Sequence, residues 1–351
     1  MTAVLGIVFH FIGGFASGSF YLPFKKIKDW SWESYWLVGG LFSWLVVPPL
    51  AAALTIPAFA SVISFTPIHV IALTYLMGTL WGIGGLTYGL GIRYLGMSLG
   101  NSVTLGYCAA FGALIPSIYY AINHVDGKVS FHDLLASNGG RLVLLGVLVC
   151  LAGIALCGYA GMIKEKTSES GGQNNSIVEF NLFKGLGVAT ISGILSACFN
   201  FGIEAGKPMA EMAVQAGYNP LFQNNVTYVV LLWGGLTTNL VWCIFLNFKN
   251  GSFKNYTDSK TRLSSNYLFA ALAGTTWFLQ FFFYGMGESK LGNGASSWIL
   301  HMAFIILISN IWGILLKEWS GVNQKTKLAI TAGILTIVLS VVLVGYGNSI
   351  S

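Results

Sequence analysis

Ten stretches of about twenty apolar residues follow one another along the chain, at about 3–24, 33–56, 69–92, 97–122, 140–161, 182–204, 224–247, 266–287, 293–316 and 325–347. A bilayer core of about 30 Å is crossed by roughly 20 residues of helix, so each stretch has the length of a membrane span. The connections leave no room for a soluble domain. In lipid, every backbone N–H and C=O must find its partner within the protein, which restricts spans to helices or closed barrels. Barrel-like alternation is absent, so the sequence predicts an all-α polytopic membrane protein with ten transmembrane helices. Composition agrees: the chain is 55% hydrophobic and 9% charged, against about 25% charged in soluble domains.

The formal net charge of +6 is an orientation signal rather than a nucleic-acid footprint. With ten spans the connections alternate between two sides. Fourteen of the 18 basic residues fall on one side, among them Lys25, Lys26, Lys28, Lys249, Lys254 and Lys260, while Lys128, Arg141, Lys207 and Lys290 fall on the other. Basic residues collect in cytoplasmic loops, so both termini are expected in the periplasm, in a bacterial inner membrane. The order of "MTAVLGIVFH" before "KKIKDW" reverses the charge order of a signal peptide, and no cleaved leader is expected. All five cysteines, Cys108, Cys150, Cys157, Cys198 and Cys243, lie in predicted spans and read as small apolar fillers.

The apolar text also repeats. "GTLWGIGGLTYGLGIRYLG" (78–96) and "GTTWFLQFFFYGMGESKLG" (274–292) are 196 positions apart and share eight of nineteen residues. "GFASGSF" (14–20) resembles "GILSACF" (193–199), and "LGMSLGN" (95–101) resembles "LGNGASS" (291–297). A fixed-offset match marks an internal repeat. The chain divides into a first five-helix repeat, 1–161, a polar cytoplasmic linker, 162–181, and a second five-helix repeat, 182–351. Five is odd, so the second half enters the membrane from the opposite face. Inverted repeats are the architecture of secondary transporters, which alternate between two related arrangements. Small-xxx-small pairs such as Gly14/Gly18, Gly78/Gly82, Gly85/Gly89 and Gly96/Gly100 let helix backbones approach.

Longer motifs carry a family resemblance: "FYLPFKKIKDWSWES" (20–34), "WGIGGLTYGLGIRYLGMSLG" (81–100), "GGRLVLLGVLV" (139–149), "GKPM" (206–209), "WFLQFFFYGMG" (277–287), "SWILHMAF" (297–304) and "LLKEW" (315–319). The chain resembles the L-rhamnose–proton symporter family of the drug/metabolite transporter superfamily. The resemblance implies a ten-helix inverted-repeat permease that brings a deoxyhexose inward with a proton. It also implies a carboxylate near Gly294, which this chain lacks.

A neutral sugar is held by aromatic plates and a few amide or imidazole groups near the midplane. Trp81 and Trp277 are repeat mates at mid-span, although tryptophan usually sits at the membrane interface; the alternative role is packing. Tyr88 and its mate Tyr284 suit gates as well as a binding site. Gln280, one turn from Trp277, is an amide at mid-span, and Asn200 and Trp298 complete the candidate substrate-binding set. For the proton, the deep ionisable groups are His10 and His301. An intramembrane ionisable residue points to function, and imidazole titrates in the useful range; the alternative is a neutral ring bonded to a neighbouring helix. Glu204 and Glu288 are the other candidates. No phosphate loop, metal-ligand cluster or nucleophile–base motif appears, so neither an enzyme nor a cofactor is expected, the proton being the coupling ion. The expected partners are a small-molecule sugar and the lipid bilayer, with no nucleic acid and no obligate protein partner. An exporter of amino acids or other metabolites is the alternative transport function. An intramembrane transferase would need paired carboxylates or a basic cluster at one face.

Overall fold

The computed structural model describes residues 2–95, 97–123, 129–170, 181–315 and 321–350, and among them no strand forms. The first span is α1 (Thr2–Ser19), continued by a single turn, α2 (Tyr21–Phe24). The second is built from α3 (Trp32–Gly40), a π-helical stretch (Leu41–Val46) and α4 (Val47–Thr55). The wide turns have a local cause. Pro48 and Pro49 offer no N–H to the carbonyls of Trp44 and Leu45, and proline rings crowd the preceding turn. A short α5 (Phe59–Phe65) then leads to α6 (Ile68–Leu95), α7 (Met97–Ile122), α8 (Phe131–Ala136) and α9 (Asn138–Ser170). The remaining helices are α10 (Leu182–Ala205), α11 (Lys207–Gln215), α12 (Asn224–Asn250), α13 (Leu263–Leu291), α14 (Gly294–Leu315) and α15 (Gln324–Ser349).

Among the described residues nine helical segments are long and apolar enough to cross a membrane, and a tenth apolar segment, Ser296–Trp312, is shorter. These ten coincide in place with the ten apolar stretches of the sequence. One boundary differs. Helix α9 runs on to Ser170, into the stretch expected to be linker, because "KEKTSES" is made mostly of residues a helix tolerates. Residues 171–180 of that linker lie outside the described residues, as do Gly96 and most of "LLKEW".

The helices pack in a definite set of pairs. Helix α1 lies against α13 and α14, α10 against α6 and α7, α6 against α12, α13 against α3, and α9 against α7 and α15. Glycines make the closest crossings. A Cβ on Gly78 of α6 would meet the backbone of Leu231, with the Gly234 Cα at 3.3 Å. A Cβ on Gly274 of α13 would meet the backbone of Gly39, with its Cα at 3.1 Å. Gly14 and Gly18 seat Phe304 and Ile308 of α14, whereas Gly85 has nothing within 4 Å and therefore makes no helix crossing. The five cysteines are buried and free.

Candidate functional site

Pro116 lies inside α7 and has no N–H to give the carbonyl four residues before it, that of Gly112. That carbonyl is taken up by another helix: Asn200 of α10 donates from Nδ2 to Gly112 O at 2.7 Å. The Asn200 Oδ1 in turn accepts from the Tyr284 hydroxyl of α13 at 3.2 Å. One proline thus opens a place in the α7 ladder that an asparagine fills, and the asparagine joins three helices. The lack of a side chain at Gly112 makes room for the Trp298 indole of α14, whose Nε1 donates to Cys108 O at 3.0 Å.

Around Pro116 and Asn200 lies a cavity of about 380 Å³, on the side of the bundle where Gly6 of α1 packs on Leu291 of α13. Its wall includes Ser117 and Tyr120 of α7, Glu204 of α10, Lys207 and Glu211 of α11, Gln223 and Asn224 before and on α12, and the turn Gly292–Gly294. Pockets for small ligands run from about 300 to 1,000 Å³, and this one is mostly polar. A second space of about 380 Å³ between α7, α9 and α10 is lined by Val103, Tyr107, Leu151, Ile154 and similar apolar groups, which offer a sugar little to bond with.

Three charged side chains meet at the cavity, Glu204 and Lys207 on its wall and Glu288 behind them. Lys207 Nζ lies 3.1 Å from Glu204 Oε1 and 3.7 Å from Glu288 Oε1. Tyr120 donates to Glu204 Oε2 at 2.9 Å, and Asn224 Nδ2 donates to Glu288 Oε2 at 2.6 Å. All four carboxylate oxygens are therefore occupied. Gly294 faces this group, since a Cβ there would lie 3.3 Å from Glu204 Oε1 and 3.7 Å from Glu288 Oε1. A carboxylate at position 294 would add a third negative charge to the pair.

Deeper along the same helices lies a cluster of aromatic rings. Trp277 lies eleven positions before Glu288 on α13, about 16 Å at 1.5 Å per residue. Trp81 and Trp277 sit together with ring centroids 5.5 Å apart. Trp44 closes on both, at 6.3 and 5.8 Å. Phe199 stacks on Phe281 at 4.1 Å and meets Trp81 at 5.1 Å. None of these rings is part of the cavity lining, and Trp44 and Trp277 border a separate small space with Phe20, Phe24 and Trp36.

Of the candidates drawn from the sequence, Asn200 lies on the cavity wall, whereas Trp81 and Trp277 lie in the aromatic cluster and outside the cavity lining. Trp298 is buried against Phe199. Tyr88 is half-buried on α6 and not part of the cavity lining. Gln280 is buried, and its Nε2 finds no hydrogen-bond partner among the described residues. His10 and His301 are brought together, ring centroids 5.9 Å apart, and both meet the edge or face of Tyr284, at 5.4 and 5.2 Å. Both imidazoles are buried, and none of their nitrogens has a hydrogen-bond partner among the described residues. They lie behind Tyr284, not on the cavity.

The chain as a whole matches the family model for the L-rhamnose-proton symport protein over residues 1–350. It is 40% identical over 349 residues to the L-rhamnose-proton symporter of Yersinia pestis (strain Pestoides F), a match that covers 98% of each chain. The L-rhamnose-proton symporter of Mannheimia succiniciproducens is 39% identical over 351 residues, with 99% of this chain and 98% of that one covered. This chain belongs to the L-rhamnose-proton symporter family. It is accordingly a multi-pass protein of the bacterial inner membrane, and the family is one of transporters, not enzymes. For a symporter of this family, the wall residues Tyr120, Lys207, Gln223, Asn224 and Asn293 are the groups that hydropathy and mid-span depth pass over. They sit at helix ends, and the one sequence signal that leads to them is Pro116 within an apolar run.

Proposed function

We propose that this protein imports L-rhamnose, or a related deoxyhexose, together with a proton by alternating access. The observation that carries the reading is the polar cavity of about 380 Å³, with a cluster of aromatic rings deeper among the same helices. A deoxyhexose has hydroxyls for the amides and carboxylates of such a wall, and a methyl group and C–H faces for such rings. In this arrangement Asn200 binds the sugar from the wall. Trp81 and Trp277 receive its apolar face further along the path, together with Tyr88, Gln280 and Trp298. His10 and His301 form the proton-carrying pair of the interior, and the proton is the coupling ion.

The architecture proposed with it is ten transmembrane helices in a five-plus-five inverted repeat, residues 1–161 and 182–351, joined by the cytoplasmic stretch 162–181, with both termini periplasmic. Helix pairing supports this. Exchanging each helix for its counterpart turns α1 on α13 into α10 on α6, α1 on α14 into α10 on α7, and α3 on α13 into α12 on α6, and all of these contacts occur. The glycine crossings obey the same rule: Gly39 meets Gly274 and Gly234 meets Gly78, positions 195 and 196 apart. The excess of basic residues opposite the cavity mouth supports a periplasmic opening.

The test is uptake of labelled L-rhamnose into proteoliposomes with an imposed inward proton gradient, with and without a protonophore. Accumulation that the protonophore abolishes is the expected result. Uptake that ignores the gradient, or no uptake of rhamnose, would reject the reading.

A further inference from the structure

The ring that ties the aromatic cluster together is one the sequence does not single out. Trp44 is 3% exposed and meets Trp36, Trp81 and Trp277, with ring centroids 6.2, 6.3 and 5.8 Å away. Its indole N–H has no hydrogen-bond partner among the described residues. Trp36 beside it has one, its Nε1 donating to Asn239 Oδ1 at 3.1 Å. A buried donor without an acceptor is costly, and such an atom calls for an explanation. We propose that Trp44 is a sugar-binding residue of the carrier, its indole N–H donating to a hydroxyl oxygen of the deoxyhexose when the sugar reaches the aromatic cluster. The inference rests on the symport reading and adds to it a residue, and an atom, that orients the sugar.

Local structure sets the indole in place. Trp44 lies in the π-helical stretch Leu41–Val46, at whose end the Val47 N–H donates to the Phe42 carbonyl five residues back. The wide turn follows from Pro48 and Pro49, and single π turns recur at functional sites. One turn before Trp44, Gly40 leaves a gap that the ring fills: a Cβ there would meet the six-membered edge of the indole. The nitrogen is at the other edge of the ring, away from Gly40. The small space that Trp44 borders with Phe24, Trp36 and Trp277 measures about 10 Å³, room for one water and not for a sugar. The N–H therefore meets its hydroxyl after the cluster has parted, in a state between the two open ones. A deoxyhexose then brings what the cluster lacks, an accepting oxygen, on a body whose C–H faces suit the faces of the rings.

Position in the fold supplies a second argument. Trp81 and Trp277 are repeat mates, and their rings meet at 5.5 Å. Two mates in contact lie on the axis that relates the two proposed halves, and substrate sites of inverted-repeat carriers lie between the halves near the midplane. Trp44 meets both of them. Gly39 and Gly234 are counterparts 195 positions apart, and the same offset places Asn239 opposite Trp44. The second half thus carries an amide where the first carries an indole. Both polar atoms of that amide are engaged, Nδ2 with Gly235 O at 2.9 Å and Oδ1 with Trp36. Of these two counterparts, Trp44 is the one with an atom left for the sugar.

The test reads the N–H alone. Exchange of labelled L-rhamnose in proteoliposomes is competed with unlabelled L-rhamnose and with analogues that each lack one hydroxyl, for the wild type and for Trp44→Phe. In Trp44→Phe the half-saturating concentration of rhamnose is expected to rise about tenfold, the size of one neutral hydrogen bond. One analogue should compete with the two proteins equally well, having no hydroxyl for the N–H to find, while the others weaken as rhamnose does. A merely structural role for Trp44 would weaken every analogue alike, and that result would overturn the proposal. So would half-saturating concentrations that are unchanged throughout. If Trp44→Phe does not fold, 3-benzothienylalanine at position 44 keeps the shape of the indole and puts sulfur in place of the N–H, and the same comparison decides. Absence of rhamnose exchange by the wild type would reject the rhamnose reading, and this inference with it.

Discussion

Pro116 and Asn200 are two halves of one device. The proline removes a backbone donor, and the asparagine supplies it from another helix at 2.7 Å. Asn200→Ala therefore does more than remove a cavity group: it leaves the Gly112 carbonyl unpaired in the interior, a loss of about 1–3 kcal/mol. In Pro116→Ala the helix restores its own donor to Gly112, and the same Asn200→Ala substitution should then cost much less. A double-mutant cycle on unfolding in detergent measures the difference. A coupling energy near zero would show that Asn200 is not acting for the missing proline N–H. Tyr284→Phe is milder, since it removes one hydrogen bond of 3.2 Å and should cost about 1 kcal/mol in the same assay. This part of the site was legible in the sequence only in pieces. Depth along a helix points to Asn200, Trp81 and Trp277, yet it does not say which face a side chain occupies. Trp298 and Gln280 lie at comparable depth and face packed neighbours. The ends of helices, where Tyr120 and Asn224 stand, carry no hydropathy signal at all.

At the level of helices the sequence is a far better guide, because lipid permits few alternatives to a continuous apolar run. The apolar stretches coincide with the helices of the structure, and the disagreement at α9 concerns where a polar helix end stops. Glycine spacing is less transparent. Gly78 and Gly85 sit on the same helix in the same kind of motif, but one is pressed against the backbone of α12 and the other has open space around it. Gly78→Ala should therefore sharply reduce the yield of folded protein, and its counterpart Gly274→Ala, pressed on Gly39, should do the same. Gly85→Ala adds a methyl group in free space and gains about 1 kcal/mol of helix propensity, so it should express at least as well as the parent. Size-exclusion profiles of the three variants in detergent check this. Equal profiles for Gly78→Ala and Gly85→Ala would mean that the α6–α12 crossing is looser than its geometry.

Across the whole molecule the charge asymmetry, the cavity and the repeat make one joint claim about sidedness. The cavity lies on the side where Gly6 of α1 packs on Leu291, and the proposed ten-helix topology puts the basic loops on the other. If basic residues are retained in the cytoplasm, the cavity faces the periplasm, and the aromatic cluster lies between it and the cell interior. The native cysteines are all buried, so the unmodified chain offers a quiet background for labelling single added thiols. Asn219 and Lys254 are both exposed, in connections that the ten-helix topology places on opposite sides. In spheroplasts an impermeant maleimide should label Asn219→Cys readily and Lys254→Cys only after permeabilisation. The reverse pattern would turn the molecule over and make the open cavity an inward-facing state. Protection of both until permeabilisation would place the two connections on one side, and the number of crossings between them would have to be even.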